Sequence, residues 1–311
     1  MDINPTFLVA ARRSGTTLFR LIMDGHPSVH WHRGWEPVAD AIYNLVSNAP
    51  KPQNMSVEGL GTVSAKSLQE FKAQIDGQVR EALMAEQSQI FGATVHVGFK
   101  SLREAWPHAR FIHLIRDPRD IAISNLKLGW AGHPFEAAET WSTAERHWDK
   151  MRKTLSNDQF IELRYEDLVA QPRAELGRVC DFLQIPFDES LFSYTQSSSY
   201  TYPKQELAQR WRGRLTDREI SLIEHGLHEQ MLSRGYQPAS SKTNVPNVVA
   251  AAYRHLGKWK VRRMSLKEHG LKHLILRKTA NVLKSKKLQE RVLAAEAGRR
   301  AEHIKKLEKN Y

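Results

Sequence analysis

The sequence predicts an α/β fold: three layers, α/β/α, around a central parallel sheet, with a helical basic C-terminal extension. Three observations predict it. A short apolar run passes through a polar turn into an amphipathic helix within the first two dozen residues. Further apolar runs recur between stretches of helical periodicity. The composition is that of a folded globule, 41% hydrophobic and 26% charged over 311 residues. Strands alternating with helices imply a parallel sheet covered on both faces, joined by right-handed crossovers.

The elements follow in order. Residues 6–11 read as a buried strand, 12–17 as a polar turn, and Leu18–Met23 as the apolar face of a helix that ends at Gly25-His26-Pro27. Residues 48–66, rich in Asn, Pro, Gly and Ser, read as a loop, and 67–91 as a helix through Leu68, Phe71, Ile75, Val79 and Leu83. Two apolar runs, Thr94–Phe99 and Phe111–Ile115, read as strands with a short helix, Ser101–Trp106, between them. A helix is expected after Arg116-Asp117-Pro118-Arg119-Asp120, another over 135–155, a strand over Phe160–Tyr165, a helix over Pro172–Leu183 and a last one over 216–234. Ser197–Lys204 reads as a polar loop. The expected organisation is an α/β domain over 1–239, a linker over 240–247 and a basic helical extension over 248–311.

Charge separates the body from the tail. The net charge is +12, but residues 250–311 hold 18 Lys and Arg against 5 Asp and Glu. The first 249 residues hold 28 against 29, so an anionic ligand of the body must be held by local groups. A single cysteine, Cys180, excludes a disulfide framework and a Cys-rich metal site. No run of 18 apolar residues and no basic start to the chain is present, so a soluble, cytoplasmic protein is expected.

The first site candidate is the turn at 12–17. A turn that feeds a helix N-terminus aims unpaired N–H groups and the positive dipole end at one point, which suits phosphate or sulfate. Gly15 allows close backbone approach, Thr16 and Thr17 bring hydroxyls, and Arg13 a fixed charge. A plain capped helix is the competing reading. The nucleotide-binding pattern G-x-x-x-x-G-K-[ST] fails, with Ala10 at its first glycine and Thr16 at its lysine. Without that lysine, a metal-free donor of a less charged group, such as a sulfuryl group, fits better than a triphosphate. The second candidate, Arg116 to Ser124, follows a strand and should open on the same rim of the sheet. By itself it reads rather as a surface helix start with Asp117, Arg119 and Asp120 solvated.

Taken together, Arg-Ser-Gly-Thr-Thr-Leu (13–18) with His26-Pro27, Arg-Asp-Pro-Arg-Asp (116–120) with Ser124, and Arg-Tyr-Glu-Asp-Leu-Val (164–169) resemble the sulfotransferase superfamily over about residues 6–236. The segment Phe182-Leu183-Gln184-Ile185-Pro186 is similar to its tyrosylprotein and bacterial branch. The resemblance implies a P-loop-NTPase-like fold and 3′-phosphoadenosine 5′-phosphosulfate (PAPS) as co-substrate, with no metal required. It implies that Arg13, Ser14, Gly15, Thr16 and Thr17 surround the 5′-phosphosulfate, and that Arg116 and Ser124 hold the 3′-phosphate. By the same resemblance, Tyr165 contacts the nucleotide and Arg210 reaches the donor, while the loop Ser197–Lys204 closes over it.

The implied reaction is in-line transfer of a sulfuryl group to a hydroxyl acceptor: a glycan, lipid, peptide or small molecule. Glu36 is the expected general base, with His32 and His30 as rivals because imidazoles titrate near neutrality. Lys100, taken to end the Thr94–Phe99 strand, is expected to neutralise the leaving phosphate. Two other functions compete, a P-loop-type small-molecule kinase and a non-catalytic nucleotide-binding scaffold on membranes. The tail, with apolar residues at helical spacing among Lys and Arg, is expected to contact an anionic membrane peripherally, at the inner surface, or to join a homo-oligomer. Nucleic acid is not expected as a partner, for lack of a reader motif.

Overall fold

A computed structural model describes residues 3–47, 51–240 and 245–282, together with Leu288 and Val292. The described elements are, in order, β1 (Thr6–Val9), α1 (Thr16–Asp24), β2 (Val29–His32), α2 (Glu36–Val46), β3 (Gln53–Val57), β4 (Gly61–Ala65), α3 (Leu68–Ala85), β5 (Ile90–Val95) and α4 (Phe99–Ala105). They continue with β6 (Arg110–Ile115), α5 (Pro118–Lys127), α6 (Pro134–Arg152), β7 (Phe160–Arg164), α7 (Tyr165–Ala170) and α8 (Pro172–Leu183). After these come α9 (Tyr194–Ser197), α10 (Asp217–Glu224), α11 (His228–Ser233) and α12 (Asn247–Val282).

Five strands form one parallel sheet in the order β2-β5-β1-β6-β7. The two-residue period of a strand sends alternate side chains to opposite faces. On one face Phe7, Val9, Phe91, Val95 and Phe111 pack with Trp35, Phe71, Val79, Trp106 and Trp148. On the other, Leu8, Ile112, Leu114 and Leu163 meet Leu18, Phe19, Ile22, Leu176 and Val179 from α1 and α8. Helices therefore cover both faces, as the alternation of strands and helices requires.

Several boundaries differ from the sequence reading, each for a local reason. Part of the expected loop at 48–66 is an antiparallel hairpin, β3–β4, whose strands pair only with each other in the described structure. Its faces are largely exposed apart from Val57, Val63 and Ala65, so little hydrophobic alternation marks it. The 67–91 helix stops at Ala85, and Ile90 opens β5. That strand ends at Val95, not at Phe99. Gly98, at φ 74°, turns the chain into α4, so Phe99 and Lys100 are helical although the apolar run continues through them. The helix expected over 216–234 is broken into α10 and α11 at 225–227.

The C-terminal side starts its helix at Asn247, and α12 runs without interruption for 36 residues. Residues 241–244 of the expected linker, and apart from Leu288 and Val292 the tail beyond 282, lie outside the described residues.

Candidate active site

The carboxyl ends of β5, β1 and β6 lie side by side, and the site is built on them. Beyond β1 the chain makes a tight turn. Ser14 N–H donates to the Ala11 carbonyl at 3.2 Å, Arg13 has φ 75°, and Gly15 has φ 95°. Gly15 is required twice over. Its backbone is left-handed, and a Cβ there would stand 2.4 Å from the Tyr165 ring. Helix α1 begins at once with Thr16, buried, and Thr17, exposed, so its N-terminal N–H groups open toward this turn.

Three remote segments converge on the turn. Arg13 donates from Nε to Ser124 Oγ on α5 at 2.8 Å. Arg116, just past β6, donates from Nη1 to the Arg13 carbonyl at 3.1 Å, and its guanidinium lies 4.2 Å from the Tyr165 ring centre. Burial raises the Tyr165 phenol pKa, while the charges of Arg116 and Arg210 act against that rise, which places Arg210 within electrostatic reach of the same ring. The expected residues Arg13, Gly15, Arg116, Ser124, Tyr165 and Arg210 thus form one neighbourhood.

A segment over 205–211 covers Arg116. The Leu207 carbonyl accepts from Arg116 Nη2 at 3.4 Å, and Trp211 N–H donates to Asp120 Oδ1 at 2.8 Å. Burial raises the Asp120 pKa, with Arg116 opposing. The contacts that cover Arg116 and Asp120 come from 205–211, just after the Ser197–Lys204 loop that the resemblance places over the donor. Asp117 and Arg119 are not solvated either. Arg119 pairs with Asp117 at 2.7 Å and with buried Glu224 at 2.8 Å, and stacks 3.9 Å from the Trp211 ring centre. In the Tyr-Glu pair, Tyr165 faces the turn while Glu166 accepts from Asp117 N–H and Tyr236 O–H, which fixes the start of α5.

Buried polar atoms with no partner show what the site can hold. Among the described residues, Ser14 Oγ and Arg116 Nε are buried and make no hydrogen bond. An unmade bond at a buried polar atom costs about 1–3 kcal/mol, so each of these two donors suits an oxyanion oxygen. The residues present therefore match a doubly phosphorylated nucleotide in charge and in donor chemistry.

Glu36 stands at the first turn of α2, and its Oε1 accepts from the backbone N–H of His96 at 3.2 Å. His96, half-buried just past β5, turns its Nδ1 to the Ala10 carbonyl at 3.0 Å. Burial lowers its pKa, and Arg12 and Arg13 add to that effect while the Ala10 carbonyl and Glu36 oppose it, so the ring is neutral at pH 7. His96 joins Glu36 to the phosphate turn, and sequence reasoning missed it. The apolar neighbours Val95, Val97 and Phe99 made 94–99 look like one strand, which hid the residue at the strand's true end.

Two expected residues are placed elsewhere. His32 has Nδ1 2.6 Å from the Arg33 carbonyl and Nε2 on the Glu58 carbonyl. With both nitrogens on carbonyl oxygens, the ring clips β2 to the β3–β4 turn and has no lone pair directed at the phosphate turn. Lys100 is exposed in the first turn of α4, so its expected place at a strand end is corrected. Its segment is tied instead to α2, through Ser101 Oγ donating to the Ala39 carbonyl at 2.7 Å.

Comparison with known proteins speaks to the family and the fold. A family model described as "Sulfotransferase family" matches residues 5–189. The chain is 26% identical over 204 residues to protein-tyrosine sulfotransferase A of Caenorhabditis elegans, covering 61% of this chain and 52% of that protein. It is 32% identical over 97 residues to omega-hydroxy-beta-dihydromenaquinone-9 sulfotransferase Stf3 of Mycobacterium bovis, covering 27% of this chain and 25% of that one. The chain thus spans about half or less of the length of these curated relatives. Among solved structures, the sulfotransferase domain from the curacin biosynthetic pathway superposes with a TM-score of 0.51 at 16% identity, covering 76% of this chain and 99% of that domain. At that identity the likeness speaks for the fold.

Proposed function

The chain belongs to the sulfotransferase family, and on that premise we propose that it transfers a sulfuryl group from PAPS to a hydroxyl acceptor. The observation that carries the reading is the convergence of Arg13, Arg116, Ser124 and Tyr165 around two buried, unpartnered donors, Ser14 Oγ and Arg116 Nε. Arg13, Ser14, Gly15, Thr16 and Thr17 would cradle the 5′-phosphosulfate, with the α1 N-terminus adding its dipole. Arg116 and Ser124 would take the 3′-phosphate, and Tyr165 and Arg210 would flank the nucleotide. PAPS brings the sulfuryl group. The chain's part is to fix the donor and to stabilise negative charge on the oxygens that carry it during transfer.

Glu36 is the base in this reading. Its carboxylate is held by the His96 N–H next to the phosphate turn, where it can accept the proton of an incoming hydroxyl. The acceptor in this reading is a hydroxyl compound, the class named for two curated relatives, a protein-tyrosine sulfotransferase and an omega-hydroxy-beta-dihydromenaquinone-9 sulfotransferase.

Calorimetry with 3′,5′-phosphoadenosine against ATP, followed by transfer of labelled sulfate from PAPS in the presence of EDTA, tests the proposal. Selective binding of the bisphosphate and EDTA-insensitive transfer are expected. Preference for ATP with transfer that needs magnesium would replace this reading with that of a kinase. Binding without any consumption of PAPS would leave a nucleotide-binding scaffold.

A further inference from the structure

Helix α12 has two faces. One lies on the body. Ala250 is buried, Tyr253 stacks on His133 with ring centres 4.4 Å apart, and Arg254 pairs with Glu139 at 2.6 Å. Gly257 crosses Gly132 so closely that a Cβ on Gly132 would stand 2.2 Å from the Gly257 carbonyl oxygen.

The opposite face carries Val248, Ala252, Leu256, Trp259, Arg263 and Leu266, at steps of four, four, three, four and three residues. That spacing places them along one stripe of a helix. All six are exposed, Val248 by 81% and Trp259 by 55%. A row of apolar side chains turned away from the protein is unusual in a chain whose other large apolar residues are mostly buried.

Charge identifies what the stripe meets. Residues 247–282 contain nine Lys and Arg and one acidic residue, Glu268. Lys258 and Arg262 are exposed beside the row and Arg263 within it, the Arg263 guanidinium 5.5 Å from the Trp259 ring centre. The same helix face of a second copy would present the same excess of cations and repel it. A surface that is apolar beneath and anionic above complements it, and that is the interface of a bilayer containing acidic lipid. Within the described residues, no helix is long and apolar enough to cross a membrane, so the contact is one of lying on the surface.

We infer that the outer face of α12 docks the protein on anionic lipid bilayers, with Leu256, Trp259 and Leu266 in the acyl boundary and Lys258, Arg262 and Arg263 at the headgroups. The contact would sit close to the site. Met264 and Gly257 of α12 pack on Gly129 and Gly132, and between those glycines Trp130, itself exposed, lies 5.6 Å from the Arg13 guanidinium. Docking would therefore bring the mouth of the site to a membrane-held hydroxyl acceptor, a consequence that rests on the transfer reading above. The docking itself does not.

The test is co-sedimentation of the full chain with phosphatidylcholine vesicles with and without phosphatidylglycerol, at low and at high salt. Binding is expected only with the acidic lipid, weakened by salt. Each basic residue at the surface multiplies partitioning about fivefold, so the triple variant Lys258→Glu, Arg262→Glu, Arg263→Glu should lower it by at least about a hundredfold. Trp259→Ser should lower it as well. Circular dichroism and binding of 3′,5′-phosphoadenosine should be unchanged in both variants, which separates failure of docking from failure of the nucleotide site. Equal binding to neutral vesicles, or undiminished binding by the triple variant, would overturn the inference. So would a stable dimer that Trp259→Ser dissociates in a protein that ignores vesicles.

Discussion

Arg116 and Arg13, 103 residues apart in the chain, are joined by a single hydrogen bond from guanidinium to carbonyl oxygen. The bond fixes the backbone of the phosphate turn and leaves Arg116 Nε buried and unpartnered beside it. One side chain thus shapes the turn and offers a donor to whatever the turn holds.

Arg116→Lys keeps the charge but loses the planar fork, the bond to Arg13 and the stacking on Tyr165. A hydrogen bond to a charged group is worth about 1.5–3 kcal/mol, so the Kd for 3′,5′-phosphoadenosine should rise about tenfold to a hundredfold. Calorimetry reads this directly. An unchanged Kd would take Arg116 out of the nucleotide site.

Gly15→Ala places a methyl group into the Tyr165 ring at a left-handed backbone position. Strain of this kind costs about 1–3 kcal/mol before the clash is counted, and urea unfolding should show at least that loss, together with loss of bisphosphate binding. Gly177→Ala is the companion measurement. No heavy atom lies within 4 Å of a Cβ at that helical position, so the change should stabilise by about 0.5–1 kcal/mol.

Glu36→Gln preserves shape and a hydrogen bond to His96 but removes proton acceptance. Bisphosphate affinity should stay within about twofold, while kcat falls by about a hundredfold or more, the ordinary scale of general base catalysis. Equal turnover would transfer the role to another group, with the His96 imidazole the next candidate.

The pH profile of stability should carry the signature of a buried charge cluster outside the site. His113 on β6 lies 3.3 Å from both Glu145 and Glu162, and Arg234 closes on Glu145 at 2.6 Å. Burial alone would depress the His113 pKa, but the two carboxylates outweigh it and raise it. Glu162 is brought down to about 2, because hydrogen bonds from His113 and Trp148 overcome its burial. A raised histidine stabilises fully below its unfolded pKa of about 6.5, and the gain is lost as pH climbs through the folded value. A lowered carboxylate stabilises above about 4.5, and that gain is lost as pH falls toward about 2. Tm should therefore decline on both sides of a mildly acidic optimum. His113→Phe keeps the stacking on Trp148, 4.5 Å away. It should abolish the alkaline decline and cost about 3 kcal/mol, the scale of breaking a buried pair. An unaltered alkaline limb would refute the assignment.

The sheet and most of the residues that converge on the turn after β1 were legible because their signals are local. Phe7-Leu8-Val9 reads as a strand buried on both faces, and the sequence from Arg13 to Thr17 carries its own turn and helix start. Arg116 and Ser124 were legible once β6 was seen to end at Ile115. What escaped depends on contacts between distant segments. His96 acts through a backbone N–H, which no residue type announces. Asp117 and Arg119 looked like surface charges because Glu224, the partner that allows Arg119 to be buried, lies 105 residues away. His32 looked like a base because the Glu58 carbonyl that engages it belongs to a hairpin of polar residues.

The strand that leads into the turn is the first of the sheet to be made and is enclosed only after β5 and β6 have both followed it. β1 pairs with β5 on one side and β6 on the other, through registers that begin at Gly92 and Arg110. During synthesis it must wait, apolar and unpaired, for both neighbours to emerge, and such separations slow folding. Nucleotide can steady only chains in which the pocket exists. Ribosome-bound chains ending short of Arg116 should thus gain no protease resistance from 3′,5′-phosphoadenosine, whereas those carrying the whole sheet should, which makes the ligand a reporter of when the newborn domain is complete.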